Sequence, residues 1–169
     1  MRHSWLALYT WNIRLRDIVM DRVVDILVKS PQGVPALVVE VKAKEGESPD
    51  WAIRLRRNLV VHSWMSVNTY FLLITPKKFY LWRPSDDQEP LRSPDYEGDS
   101  TSVLHRNRVV QDHSSERLSE ASLQVLVASW LNDVMHAKRS EIGLCGAWLI
   151  DSGLFDVIRD GTVLLESAA

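Results

Sequence analysis

The stretch VVDILVKSPQGVPALVVEVKAK, residues 23–44, limits the folds open to this chain more than any other. Two runs of valine, leucine and isoleucine flank a Ser-Pro-Gln-Gly reversal, the pattern of two strands joined by a tight turn. Their density of β-branched residues suits a pleated, buried surface. Neither run is purely apolar, however: Asp25 stands in the first, and Glu40 with Lys42 interrupts the second. Successive side chains of a strand point to opposite faces, so Glu40 and Lys42 share one face while Val39 and Val41 take the other. Cross-strand neighbours stand about 5 Å apart, which brings Asp25 beside the Glu40/Lys42 pair in an assumed register.

The rest of the chain supplies partners for these strands. Residues 11–20 alternate as a further strand, completing an antiparallel meander with 21–30 and 34–44. Ser48 as N-cap, Pro49 at the first helical position and Asp50 in the first turn start a helix that runs to about Trp64. Trp51, Leu55 and Leu59 face the sheet, and Arg54 and Arg57 share another face. TYFLLIT (69–75) and FYLW (79–82) read as a strand hairpin. Residues 83–114 have no usable period and form a long loop, functional or mobile. Residues 114–137 are the strongest helix, with Leu118, Leu123, Leu126, Val127, Trp130 and Leu131 as its apolar face. The tail ends in a hairpin turned at Asp160–Gly161. Strands, helix, strands, helix: the pattern predicts an α/β or α+β domain, a mixed central sheet with antiparallel hairpins flanked by helices. At 169 residues this is one domain, with a core at about 11–82, the loop at 83–114 and an accessory helix and hairpin at 115–166.

Composition excludes more than it selects. No apolar stretch approaches the roughly 20 residues of a membrane helix, and the N-terminal residues lack a signal-peptide pattern. The single Cys145 rules out an internal disulfide, reads as a small core residue and fits a reducing cytoplasm. A net charge of −2 makes no global electrostatic case for nucleic acid, although basic clusters occur at 54–57, 77–78 and 105–108.

Two carboxylates facing each other repel unless a cation lies between them, and a hard divalent ion such as Mg²⁺ accepts such oxygen ligands. The Val41 carbonyl is a third candidate ligand, and Lys42 stands where it can position or deprotonate a water or offset charge on a phosphate. That equipment suits metal-assisted phosphodiester hydrolysis. A bland alternative stays open. One Glu-x-Lys triplet is expected about once in a chain of this length. Glu40 and Lys42 would then be solvent-facing charges guarding an edge strand, and Asp25 a turn cap.

Asp25, the ALVVEVKAK run with Glu40 and Lys42, the helix from Pro49 and the TYFLLIT strand together resemble the PD-(D/E)xK nuclease superfamily, over roughly residues 11–82. The narrower run EVKAKEG…WAIRLRRNL…YFLLITPKKFYLW is similar to small bacterial proteins with this signature. The resemblance implies a restriction-endonuclease-like fold, with Asp25 and Glu40 binding Mg²⁺ (Mn²⁺ as substitute) and Lys42 assisting the attacking water. It further implies DNA as partner, with RNA still open, and a homodimer for cutting both strands. Arg54, Arg57 and Asn58 on the following helix are candidate phosphate contacts, against the commoner reading of an exposed basic face. Many members carry a further Glu on a helix before the first strand, whereas no Glu precedes Glu40 here. An inactive nuclease-fold module for binding or assembly is therefore the alternative. Of the other singled-out residues, His62 reads as a partly buried helix side chain, His105 and His113 as loop residues, and Trp130 and Trp148 as core.

Overall fold

The structure, a computed structural model, describes residues 24–44, 48–62, 65–86, 89, 91–104 and 119–165. Among them β1 (Ile26–Lys29) and β2 (Pro35–Val41) form the expected antiparallel hairpin. Its turn is closed by Gly33 N–H to the Ser30 carbonyl and Ser30 N–H to the Val34 carbonyl, both at 2.8 Å. Helix α1 (Pro49–Val61) follows, then β3 (Tyr70–Ile74) and β4 (Lys78–Trp82) as a second hairpin. The Ser48 side chain caps α1 by accepting from Trp51 N–H, with Pro49 in the first turn. Because α1 carries the chain back along the sheet, β3 lies parallel to β2.

Beyond β4 the chain departs from expectation. Residues 83–114 are not one long loop: they include β5 (Tyr96–Asp99), which pairs with β4, and the short helix α2 (Thr101–Leu104). The YEGD strand is too short and polar to give a period. Helix α3 (Glu120–His136) is capped by the Ser119 side chain, accepting from Ser122 N–H. Helices α4 (Ala147–Asp151) and α5 (Leu154–Ile158) precede β6 (Thr162–Leu165). The turn at Asp160–Gly161 exists, with Asp160 at φ 57°, but it makes no hairpin. It delivers β6 onto β1, Thr162 opposite Lys29. Gly161 is required there, because a Cβ would come 2.3 Å from the Lys29 carbonyl oxygen. The expected strand 11–20, the helix start at 114–118, and His105 and His113 lie outside the described residues.

The result is an α+β domain around a mixed six-stranded sheet in the order β5-β4-β3-β2-β1-β6. Alternation divides the strand side chains between two cores. Ile26, Val28, Leu37, Val39, Leu72, Ile74 and Leu81 pack under α3, α4 and α5 with Leu123, Val127, Leu131 and Phe155. Leu27, Val38, Phe71, Leu73, Tyr80 and Trp82 pack under α1 with Ala52 and Leu59. Each such buried apolar side chain contributes about 2 kcal/mol of transfer free energy. Trp130 is buried, and Trp148, half-buried, lies between it and Phe79 with ring centroids 6.1 and 4.4 Å away, which makes both tryptophans core residues. No helix among the described residues is long and apolar enough to cross a membrane.

Candidate active site

The three residues singled out in the hairpin meet at one end of the sheet, where β1 begins and β2 ends. Ile26 pairs with Val39, so the register carried one step further sets Asp25 opposite Glu40. Asp25 lies just before β1 and Lys42 just after β2, not inside the strands as the sequence suggests. Released from strand alternation, their side chains turn toward a common point. Val41 N–H donates to Asp25 Oδ2 at 2.7 Å and locks the aspartate against the end of β2. Lys42 Nζ stands 3.1 Å from Glu40 Oε2 and 3.4 Å from Asp25 Oδ2.

Helix α3 adds two residues that carried no signal in the sequence. Glu120 Oε1 lies 3.3 Å from Lys42 Nζ, and its Oε2 accepts from Ala43 N–H at 3.3 Å. Gln124 Nε2 donates to Asp25 Oδ1 at 2.8 Å. Glu120 and Gln124 are four residues apart, hence on one helical face. An acidic residue in a first helical turn reads as ordinary dipole compensation, so nothing local singles Glu120 out. Only the docking of α3 against β2 reveals it.

Three carboxylates thus surround one ammonium. Asp25 and Glu40 are buried, at 8% and 5% exposure. Burial pushes the Glu40 carboxyl up, the charge of Asp25 adds to this, and Lys42 opposes both; the outcome is about 7. For Lys42, burial pulls toward the neutral amine, but Glu40, then Asp25 and Glu120, outweigh it and hold the group above its ordinary value. Lys42 is therefore an ammonium at neutral pH, a donor rather than a base for water.

The oxygen-rich donor set suits a hard divalent ion in kind. In arrangement, the Lys42 ammonium fills the space between the carboxylates, and among the described residues no three His, Cys, Asp or Glu side chains are grouped to hold a metal. Val41 serves the cluster through its N–H, while the sequence reading assigned its carbonyl.

The other candidates stand apart. Arg54, Arg57 and Asn58 are exposed on α1, outside the hydrogen-bonded group. His62 is exposed at the C-cap of α1 rather than partly buried, because the helix ends at Val61 and turns it outward. The side of α1 facing the sheet is formed by Ala52, Arg56 and Leu59, with Trp51 and Leu55 only half-buried. Comparison with known proteins finds no matching family model, no matching curated protein and no matching solved structure.

Proposed function

We propose that this chain is a Mg²⁺-dependent nuclease of the PD-(D/E)xK type, acting in the cytoplasm on phosphodiester bonds of DNA. The observation that carries the reading is the convergence of Asp25, Glu40 and Lys42 at one end of the β1–β2 hairpin. The order β1, β2, α1, β3, with β3 parallel to β2, supports it, since this is the succession the nuclease resemblance requires. Charge supports it as well: three carboxylates against one ammonium leave an excess that a divalent ion offsets.

In this reading Asp25 and Glu40 would hold the metal, with the Val41 carbonyl as a third ligand, and Lys42 Nζ would turn from the carboxylates to the scissile phosphate. Bound Mg²⁺ supplies Lewis-acid polarisation and a more acidic water. Gln124 and the Val41 N–H fix the Asp25 carboxylate, and Lys42 offers positive charge where the phosphate accumulates negative charge. Exposed Arg54, Arg57 and Asn58 on α1 offer contacts to the phosphate backbone.

The test is cleavage of plasmid DNA, oligonucleotides and RNA with Mg²⁺, comparing the wild type with Lys42→Ala and Asp25→Ala. Loss in both variants is expected; equal activity in all three would sink the proposal. Light scattering in the same experiment reports whether the protein is a homodimer. A second reading, an inactive nuclease-fold module for binding or assembly, draws on the Lys42 ammonium paired with all three acids. Calorimetric titration with Mn²⁺ separates the two. Micromolar binding that is lost in Glu40→Ala favours the enzyme, and no binding favours the module.

A further inference from the structure

Lys42 carries three N–H donors and has three carboxylates around it, but those acids are not held alike. Asp25 and Glu40 form the floor of the group, with side chains 11% and 7% exposed, whereas Glu120 is 45% exposed at its rim. Asp25 is anchored without the lysine, by Val41 N–H on one oxygen and Gln124 on the other. Glu120 is anchored without it too, since Oε2 accepts from Ala43 N–H at 3.3 Å while Oε1 faces Nζ. Glu40 is ion-paired with Lys42 and with no other cation among the described residues. Withdrawing the ammonium therefore leaves Glu40 uncompensated, with the Asp25 carboxylate still fixed.

The lysine itself is fixed at its root and free at its tip. Lys42 N–H donates to the Ile74 carbonyl at 3.0 Å, so its backbone continues the β2–β3 pairing. Its four-carbon stem is flexible, and the ammonium is a compact charge on a side chain 26% exposed. An ammonium and a divalent ion repel each other strongly at the distance set by two carboxylates in a half-buried place. An ion that takes Asp25 and Glu40 therefore drives Nζ outward. One acid stays within its reach: Glu120, 3.3 Å away and tied to the backbone of the very next residue. Among the described residues no three acidic side chains are grouped to hold an ion together, which sets Glu120 apart as a partner of the ammonium rather than a third ligand.

We infer that Glu120 is a positioning residue for Lys42: when a divalent ion occupies Asp25 and Glu40, the Glu120 carboxylate receives the displaced ammonium and keeps it at the rim of the group. The inference rests on the nuclease reading, and only on its metal. It makes Lys42 a resident cation that competes with the ion, and α3 the element that decides where the lysine goes. An acid in a first helical turn also complements the helix dipole, but that role is indifferent to Lys42. The two roles are therefore separable by experiment.

Mg²⁺ titration followed by carbon-detected NMR tests it, without nucleic acid, at constant ionic strength and about pH 9. The Glu40 carboxyl, held at about 7, is then ionised, and Lys42, held above its ordinary value, is still an ammonium. The wild type is compared with Lys42→Met, Glu120→Gln and the double variant. In the wild type the Lys42 ε-carbon signal moves in step with saturation. Lys42→Met binds Mg²⁺ about tenfold more tightly, because the competing charge is gone. Glu120→Gln binds it about fivefold more weakly, because the displaced ammonium has no acid to receive it. In the Lys42→Met background the same substitution loses most of that effect, as a residue acting through Lys42 must. Equal weakening in both backgrounds marks Glu120 as a ligand of the ion and overturns the inference. So does unaltered binding in Glu120→Gln, unaltered or weaker binding in Lys42→Met, or a Lys42 signal that stays put while the wild type saturates. If Lys42→Met does not fold, Lys42→Gln takes its place with the same expectations, and the wild-type and Glu120→Gln arms need neither. Those outcomes leave the nuclease reading standing, whereas a wild type that binds no Mg²⁺ overturns both.

Discussion

Glu40→Gln in the metal-free protein is the most informative single perturbation. The folded protein holds the Glu40 carboxyl at about 7, against an ordinary value of 4.5. The native state therefore keeps a proton that the unfolded chain releases across that window. Stability falls as pH rises from about 4.5 to about 7 and levels off above, the reverse of an ordinary ion-paired carboxylate. At about 1.4 kcal/mol per pH unit, the gap amounts to about 3 kcal/mol. The Glu40 side chain is only 7% exposed, so solvent screening removes little of this. For a chain of this size the loss corresponds to roughly 6–12 °C in Tm. The neutral glutamine amide has no such titration. Glu40→Gln should match the wild type within about 1 kcal/mol at pH 5 and exceed it by about 3 kcal/mol at pH 8. The assay is denaturant unfolding from pH 4 to pH 9 in chelator, repeated with Mn²⁺. The cation should restore the wild type at pH 8 and leave the variant unmoved. Parallel pH curves for the two proteins in chelator would refute the reasoning, because they would mean that Glu40 is not strained by its burial and by Asp25.

Lys42→Met strips the ammonium from three carboxylates and should cost the metal-free protein about 2 kcal/mol at pH 8, below the range for a fully buried pair because Lys42 is partly exposed. Urea unfolding measures this, and carboxyl-carbon NMR should find Glu40 titrating still higher, since Lys42 is what pulls it down. Gln124→Leu leaves Asp25 Oδ1 without its donor and should cost about 1 kcal/mol; unchanged stability in guanidinium would mean that the α3 contact contributes nothing. Gly161→Ala drives a methyl group into the Lys29 and Ile158 carbonyls and should cost about 2 kcal/mol, with loss of amide-exchange protection at 162–165.

The hairpin, α1 with its Ser48 cap, and the β3–β4 pair were legible because each rests on a local rule: period, turn chemistry or helix start. The convergence of Asp25, Glu40 and Lys42 was legible only in part. Alternation puts Glu40 and Lys42 on one face, but the register that sets Asp25 opposite Glu40 had to be assumed, and the hairpin in fact shifts register between Val28 and Lys29. What escaped is nonlocal. Arg56 occupies a position that polarity assigns to the outer face of α1, yet packing against Trp82 draws it inward. Glu120 enters the acidic group from 78 residues away, and no neighbour in the chain announces it. The tail read as a hairpin because Asp160–Gly161 does turn, but the strand partner is β1, far back in the sequence. Local chemistry selects a turn and cannot name the strand's neighbour.

That last pairing has a consequence for biosynthesis. Of the six strands, β6 leaves the ribosome last, and it covers the outer edge of β1. A nascent chain lacking residues 162–165 holds Asp25 next to a frayed margin, with its amide and carbonyl groups open to any passing strand. Translation order thus delays completion of the acidic corner until residues 162–165 have emerged and paired with β1.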